Sequence, residues 1–194
     1  MTCGRIGAVA CGFMLLGLGS LAAQTAAPPP KAAPPAPAPA QAGSEPESTT
    51  ASFGDWILRC ERGAAQGRLC EVDQTLEMKG QGVVAQVALA RLPGKDVMHV
   101  TVVLPNNVAL TSGVRVLVSE TDDSPLDLVW KRCLPVGCVA EADLPNALLK
   151  SWRTHAGAGQ IRYLVGSGQV FALALSFRGL SVALDNLPNK QPAQ

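Results

Sequence analysis

Cys70-Glu71-Val72-Asp73-Gln74-Thr75-Leu76-Glu77 alternates without a break. Cys70, Val72, Gln74 and Leu76 share one parity; Glu71, Asp73, Thr75 and Glu77 share the other. Side chains on a strand alternate between two faces, so this stretch predicts a β-strand with one side in a core and one in water. The same period recurs around it. Residues 55–60 put Trp56, Leu58 and Cys60 together. Residues 97–104 align Met98, Val100, Val102 and Leu104, and residues 170–177 align Phe171, Leu173, Leu175 and Phe177. Residues 83–90, 114–119, 126–131 and 161–165 are further strand candidates, and Gly, Pro, Asn or Asp punctuate most of the gaps. The expected fold is all-β, an antiparallel sandwich or barrel-like sheet, with one or two short α-helices.

One helix is written into the pattern. Leu144, Leu148, Leu149 and Trp152 recur at helical spacing. Asp143 is the expected N-cap, Pro145 is tolerated in the first turn and Gly157 is a stop. Residues 180–187 read equally well as a second helix or a final strand.

The cysteines fix the compartment. Met1 to Arg5 carry one positive charge, residues 6–18 are apolar and uncharged, and small residues lead to Ala22. That order is an export leader over 1–22, shorter in its apolar run than a membrane span. Cys3 and Cys11 leave with it. Cys60, Cys70, Cys133 and Cys138 remain, in two close pairs, and exported thiols meet an oxidising environment. Cys60 and Cys70 fall on the inward parity of their strands, with a turn through Gly63 and Gly67 between them. Cys133 and Cys138 enclose Leu134-Pro135-Val136-Gly137, which is turn chemistry. Local pairing into two disulfides is expected. A four-thiolate zinc site is the rival, but nine residues between Cys60 and Cys70 fit it poorly.

Residues 23–52 are rich in proline and alanine and read as a spacer that joins no ladder. One domain follows, 53–187, with a tail at 188–194. Without Arg5 the 16 basic residues become 15, equal to the 15 acidic ones. The basic residues are scattered, which argues against nucleic-acid binding.

An ordered set of motifs now emerges. Phe53-Gly54-Asp55-Trp56 opens the domain and Cys60 and Cys70 follow. Leu104-Pro105 leads through Val108 and Leu110 to Gly113-Val114. Then come Cys133, Pro135, Gly137, Cys138 and Ala140. Ser176-Phe177-Arg178-Gly179-Leu180 with Ala183-Leu184 closes it. This set resembles the invasion-associated locus B family of Gram-negative bacteria, over nearly all of 53–187. Asn106-Asn107 stands where glycine is common in that family, and Leu180 where an aromatic is common. The resemblance implies a small exported β-rich protein, with some members linked to host-cell invasion or the envelope. It carries over no catalytic residue.

No catalytic, metal-binding or cofactor-binding constellation is visible: HExxH, GxSxG and phosphate-binding glycine loops are missing from the sequence. His99 and His155 are expected at the surface. Gly166-Ser167-Gly168 reads as a hairpin turn and Asp122-Asp123 as a solvated turn. Trp56 and Trp152 are expected in the core, while Trp130 sits beside Lys131 and Arg132. The expectation is a non-enzymatic binding module in the periplasm or outside the cell, with an envelope or host protein as partner. A homodimer through an edge strand is a further expectation, with no membrane span after leader removal. Two alternatives stand beside it: a hydrolase of envelope polymers using carboxylates such as Asp55 and Glu141, and a passive structural component.

Overall fold

Inward parity at Cys70, Val72 and Gln74 becomes the wall of a curled antiparallel sheet in the computed structural model, which describes residues 46–62 and 68–188. The expected leader, Cys3, Cys11, the turn through Gly63 and Gly67, most of the spacer and nearly all of the tail lie outside the described residues. In chain order the strands are β1 (Ser48–Phe53), β2 (Trp56–Arg62), β3 (Arg68–Met78), β4 (Gly82–Arg91), β5 (Met98–Leu104), β6 (Val114–Leu117), β7 (Leu126–Leu134) and β8 (Gly137–Leu144). Helix α1 (Asn146–Thr154), β9 (Ala158–Leu164), β10 (Val170–Ser176) and helix α2 (Leu180–Asn186) complete the chain. The spatial order is β1-β2-β3-β4-β5-β8-β7-β6-β9-β10, and each named pairing is antiparallel.

The expected all-β class with two short helices is what the chain adopts. The core follows the parity that the sequence laid down: Val72, Val87, Leu89, Val100, Val102, Leu128, Ile161 and Leu175 are fully shielded. Trp56 and Trp152 join them, and Trp130 is half-buried. Trp152 meets Phe177 edge-on, with ring centroids 5.4 Å apart. Gly166-Ser167-Gly168 does turn the β9–β10 hairpin, with Gly168 N–H donating to Val165 O at 2.8 Å. Asp122 serves its turn by accepting from the backbone N–H groups of Val118 and Ser124 at 3.0 and 2.9 Å.

Two expectations change, one strand adds to those expected, and one open alternative is decided. The sheet starts at Ser48, inside the stretch 23–52 assigned to the spacer, because residues 48–53 pair with residues 56–61 of β2 even though Ser48 to Ser52 are exposed. β8 was not among the expected strands: Cys138, Ala140, Ala142 and Leu144 face inward and Glu141 and Asp143 outward, but two of the inward residues are alanines and Val139 on the other parity is buried as well. Asp143 does not cap α1. It belongs to β8, and Pro145 holds the N-cap position with no side-chain cap bond. Residues 180–186 are helix, not strand, after a left-handed residue at Gly179.

Candidate functional site

Both cysteine pairs are bonded. Cys60 opposes Cys70 in the β2–β3 register with Cα atoms 4.0 Å apart. Cys133 opposes Cys138 in the β7–β8 register at 3.9 Å. Directly opposed strand residues present their Cβ atoms within disulfide reach. Chain-entropy reasoning predicts that alanine at Cys60 and Cys70 lowers stability by about 3 kcal/mol, and at Cys133 and Cys138 by about 2 kcal/mol. Urea midpoints of the two double variants, compared at equal slope, check this ordering.

The first and last motifs of the domain meet. Gly54-Asp55 forms the β1–β2 turn, and Ser176-Phe177-Arg178-Gly179 joins β10 to α2. Asp55 N–H donates to Arg178 O at 3.1 Å. The Ser176 hydroxyl donates to Asp55 Oδ2 at 2.6 Å, and Arg178 Nε donates to the same oxygen at 3.0 Å. A second guanidinium nitrogen reaches Asp55 Oδ1, making the pair bidentate. The Arg178 guanidinium, then the Ser176 hydroxyl, hold the Asp55 carboxyl down at about 2, against an ordinary 3.8.

A carboxyl depressed on folding stabilises above its unfolded value and loses that contribution as pH falls through the folded one. The window for Asp55 therefore runs from about 4 down to about 2. Replacing Arg178 with Met should lower stability at neutral pH and flatten this part of the acid limb. Urea titrations at several pH values read it; an unchanged acid limb would refute the assignment.

Beneath the clasp lies Gln74, the polar residue that sequence placed on the inward parity. It is 4% exposed, and its amide answers both backbone groups of Ser176: Nε2 donates to Ser176 O and Ser176 N–H donates to Oε1, each at 3.0 Å. Trp56 Nε1 donates to Ser176 O at 2.9 Å. A side chain of β3 thus takes the role of a neighbouring strand at the end of β10. A polar residue in an apolar alternation was the one available signal, and the partner lies 102 residues away.

A second polar cluster covers the outer face of β2 to β8. The register sets Arg59, Glu71, Ala90, His99 and Asp143 in one row, with Asp73, Ala88, Thr101 and Glu141 in the next. Ala88 of β4 lies in a groove of about 280 Å³ lined also by Arg59, Glu71, Asp73 and Thr101. Burial raises the carboxyls of Glu71 and Asp73, with Arg59 opposing it in both. His99, expected at the surface, is only 13% exposed: Nδ1 lies 2.8 Å from Asp143 Oδ1 and Nε2 lies 3.5 Å from Glu141 Oε2. Its hydrogen bond lowers the Asp143 carboxyl, aided by Lys95. Arg132 reaches Glu141 at 3.5 Å. His155 is half-buried instead of exposed, with its ring edge-on to Phe177.

Asp55 and Glu141 therefore do not converge. Asp55 sits in the β1–β2 turn with Arg178 and Ser176; Glu141 sits in mid-β8 with His99 and Arg132. Among the described residues no group of three or more His, Cys, Asp or Glu is placed to hold a metal ion, and no helix is long and apolar enough to cross a membrane.

Comparison with known proteins fits this architecture. No curated protein matches the chain. The crystal structure of invasion associated protein b from Bartonella henselae is similar in fold, with a TM-score of 0.61 at 18% identity. The likeness covers 71% of this chain and 94% of that one. A family model described as "Invasion associated locus B (IalB) protein" matches residues 56–188, from the buried tryptophan that starts β2 through the whole Ser176–Gly179 turn to the end of α2. With that span covering most of the chain and both disulfides, the protein belongs to the invasion associated locus B (IalB) family.

Proposed function

We propose that the protein is an exported, non-enzymatic interaction module of the periplasm or cell exterior, carried on a proline-rich spacer and engaging an envelope or host protein. The observation that carries this reading is the state of its polar groups. Asp55 is saturated by Arg178 and Ser176, and Glu141 is shared between His99 and Arg132. Each carboxylate of the hydrolase alternative is thus engaged, in a different part of the sheet. General acid–base work on a glycosidic bond needs two carboxyl groups facing one another across the substrate. What the fold offers instead is a rigid, doubly bridged sheet with a broad ion-paired outer face. The leader at 1–22 and the oxidised cysteines support export.

Crosslinking in intact cells, followed by affinity capture and mass spectrometry, tests the reading. The expected result is one stoichiometric, saturable neighbour in the envelope or on the host surface. Recovery from the cytosol with free thiols would overturn export. Release of soluble fragments from purified envelope polymer would restore the hydrolase. A chain without a saturable neighbour would favour the passive structural role.

A further inference from the structure

Among the described residues one edge of the sheet ends without a neighbour. There β10 pairs with β9 and with no other strand. Phe177 N–H donates to Gly157 O at 3.0 Å and Val165 N–H to Gln169 O at 2.9 Å, so the odd-numbered residues of β10 share the bonded register with β9. In an antiparallel ladder the intervening residues turn their N–H and C=O groups the other way. Ser176 bears this out, because its N–H and C=O are the groups that Gln74 satisfies. Val170, Ala172 and Ala174 follow the same parity and direct their backbone groups to the open edge.

That edge lacks the usual protection. Edge strands are ordinarily blunted by lysine, proline or a bulge. Val170-Phe171-Ala172-Leu173-Ala174-Leu175-Ser176 contains no charge and no proline, and its register with β9 is unbroken. Val170 is 68% exposed and Phe171 37%. Ala172 and Ala174 are exposed as well, on a face where a solvated strand would carry polar residues. The opposite edge, β1, reads Ser48-Thr49-Thr50-Ala51-Ser52, and the Arg68 guanidinium donates to its Thr49 hydroxyl at 2.6 Å.

We propose that β10 is a self-association edge, at which two copies of the chain pair antiparallel about a two-fold axis through Ala172. Val170 then opposes Ala174 of the second copy, and Ala172 opposes its own equivalent. Each opposed pair exchanges two N–H···O bonds. Three features select a second copy. The strand is uncharged, so a duplicate brings no like-charge repulsion. Gln74 closes the open stretch at Ser176, which leaves Val170, Ala172 and Ala174 symmetric about Ala172. The facing side chains are alanine against alanine and valine against alanine, small enough for the bonded spacing. The chain's own spacer suits this edge poorly, since proline has no N–H to donate. The inference goes beyond the proposed function and does not depend on export or on a foreign partner.

Sedimentation velocity of the purified chain over a concentration series tests it. The expected result is a monomer–dimer equilibrium with a Kd of roughly 1–100 µM, the weak end that a small interface supports. Ala172→Lys places two cations at the axis, and Ala172→Pro removes an edge-facing N–H while leaving the β9 ladder intact. Either should raise the Kd at least about tenfold with an unchanged far-UV spectrum. Amide exchange at Ala172 and Ala174 should slow as concentration rises. A strict monomer at the highest soluble concentration, a dimer indifferent to Ala172→Lys, or an open-ended polymer would each overturn the proposal. If Ala172→Pro fails to fold, Ala172→Lys decides alone.

Discussion

Gly179→Ala lowers the unfolding free energy by about 3–5 kcal/mol, more than either disulfide contributes. Two effects combine at this position. Gly179 has φ = 90°, a left-handed conformation that costs a side-chain-bearing residue energy. A Cβ there would also stand 2.0 Å from Phe53 O and 2.5 Å from its carbonyl carbon. Both obstacles are backbone, so no rotamer change relieves them. Gly54 faces the same turn from the other side: it has φ = 60°, and its Cβ would stand 2.5 Å from Arg178 O. The two glycines let the turns approach until Asp55 N–H reaches Arg178 O. Alanine at 179 must push them apart, and the Asp55–Arg178 pair and the start of α2 move with it. Gly80 is the control. It has φ = 82° but nothing within 4 Å of where a Cβ would stand, so Gly80→Ala bears the backbone cost alone, about 1–2 kcal/mol. Urea unfolding of the three chains reads the difference. Equal losses for Gly179→Ala and Gly80→Ala would mean that close approach of the turns contributes nothing.

What the sequence made legible, and what it hid, divides along the range of the interactions. Alternation at Cys70, Val72 and Gln74, at Met98 to Leu104 and at Phe171 to Leu175 fixed strands and their inward faces, because side-chain parity is local. The cysteine pairs were legible for the same reason, each closing a short hairpin. β8 stayed hidden because its alternation is weak: two of the inward residues, Ala140 and Ala142, are small, and Val139 on the outward parity is apolar and buried. β1 stayed hidden because Ser48 to Ser52 are all exposed and, but for Ala51, polar. Asp143 was misread because its position two residues before Pro145 mimics a cap, while its partner His99 comes from β5, 44 residues earlier. The motifs Phe53 to Trp56 and Ser176 to Leu180 were visible separately. Their mutual clasp, across more than a hundred residues, was not, because neither motif alone encodes the other's place in space.

Trp56→Ala costs about 3–5 kcal/mol through the cavity it leaves in the core, with the loss of a hydrogen bond added. Trp56 is fully shielded, and its Nε1 shares Ser176 O with Gln74 Nε2. Trp56→Phe keeps most of the apolar filling and removes only the donor, so its cost falls to about 1–2 kcal/mol. Gln74→Leu is the informative partner. It leaves Ser176 N–H without its acceptor and Ser176 O with one donor instead of two, at a cost of about 2–3 kcal/mol. Because the two residues serve one carbonyl, their losses do not add. The first substitution leaves the oxygen partly satisfied; the second strips it. The Trp56→Phe, Gln74→Leu chain should lose at least about 0.5 kcal/mol beyond the sum of the single changes. Additive losses would mean that the amide and the indole act separately, and that the end of β10 is held by apolar packing and not by a shared polar anchor. A loss larger than the sum places the closure of the sheet in the three hydrogen bonds at Ser176, where a side chain from β3 completes what a strand would otherwise supply.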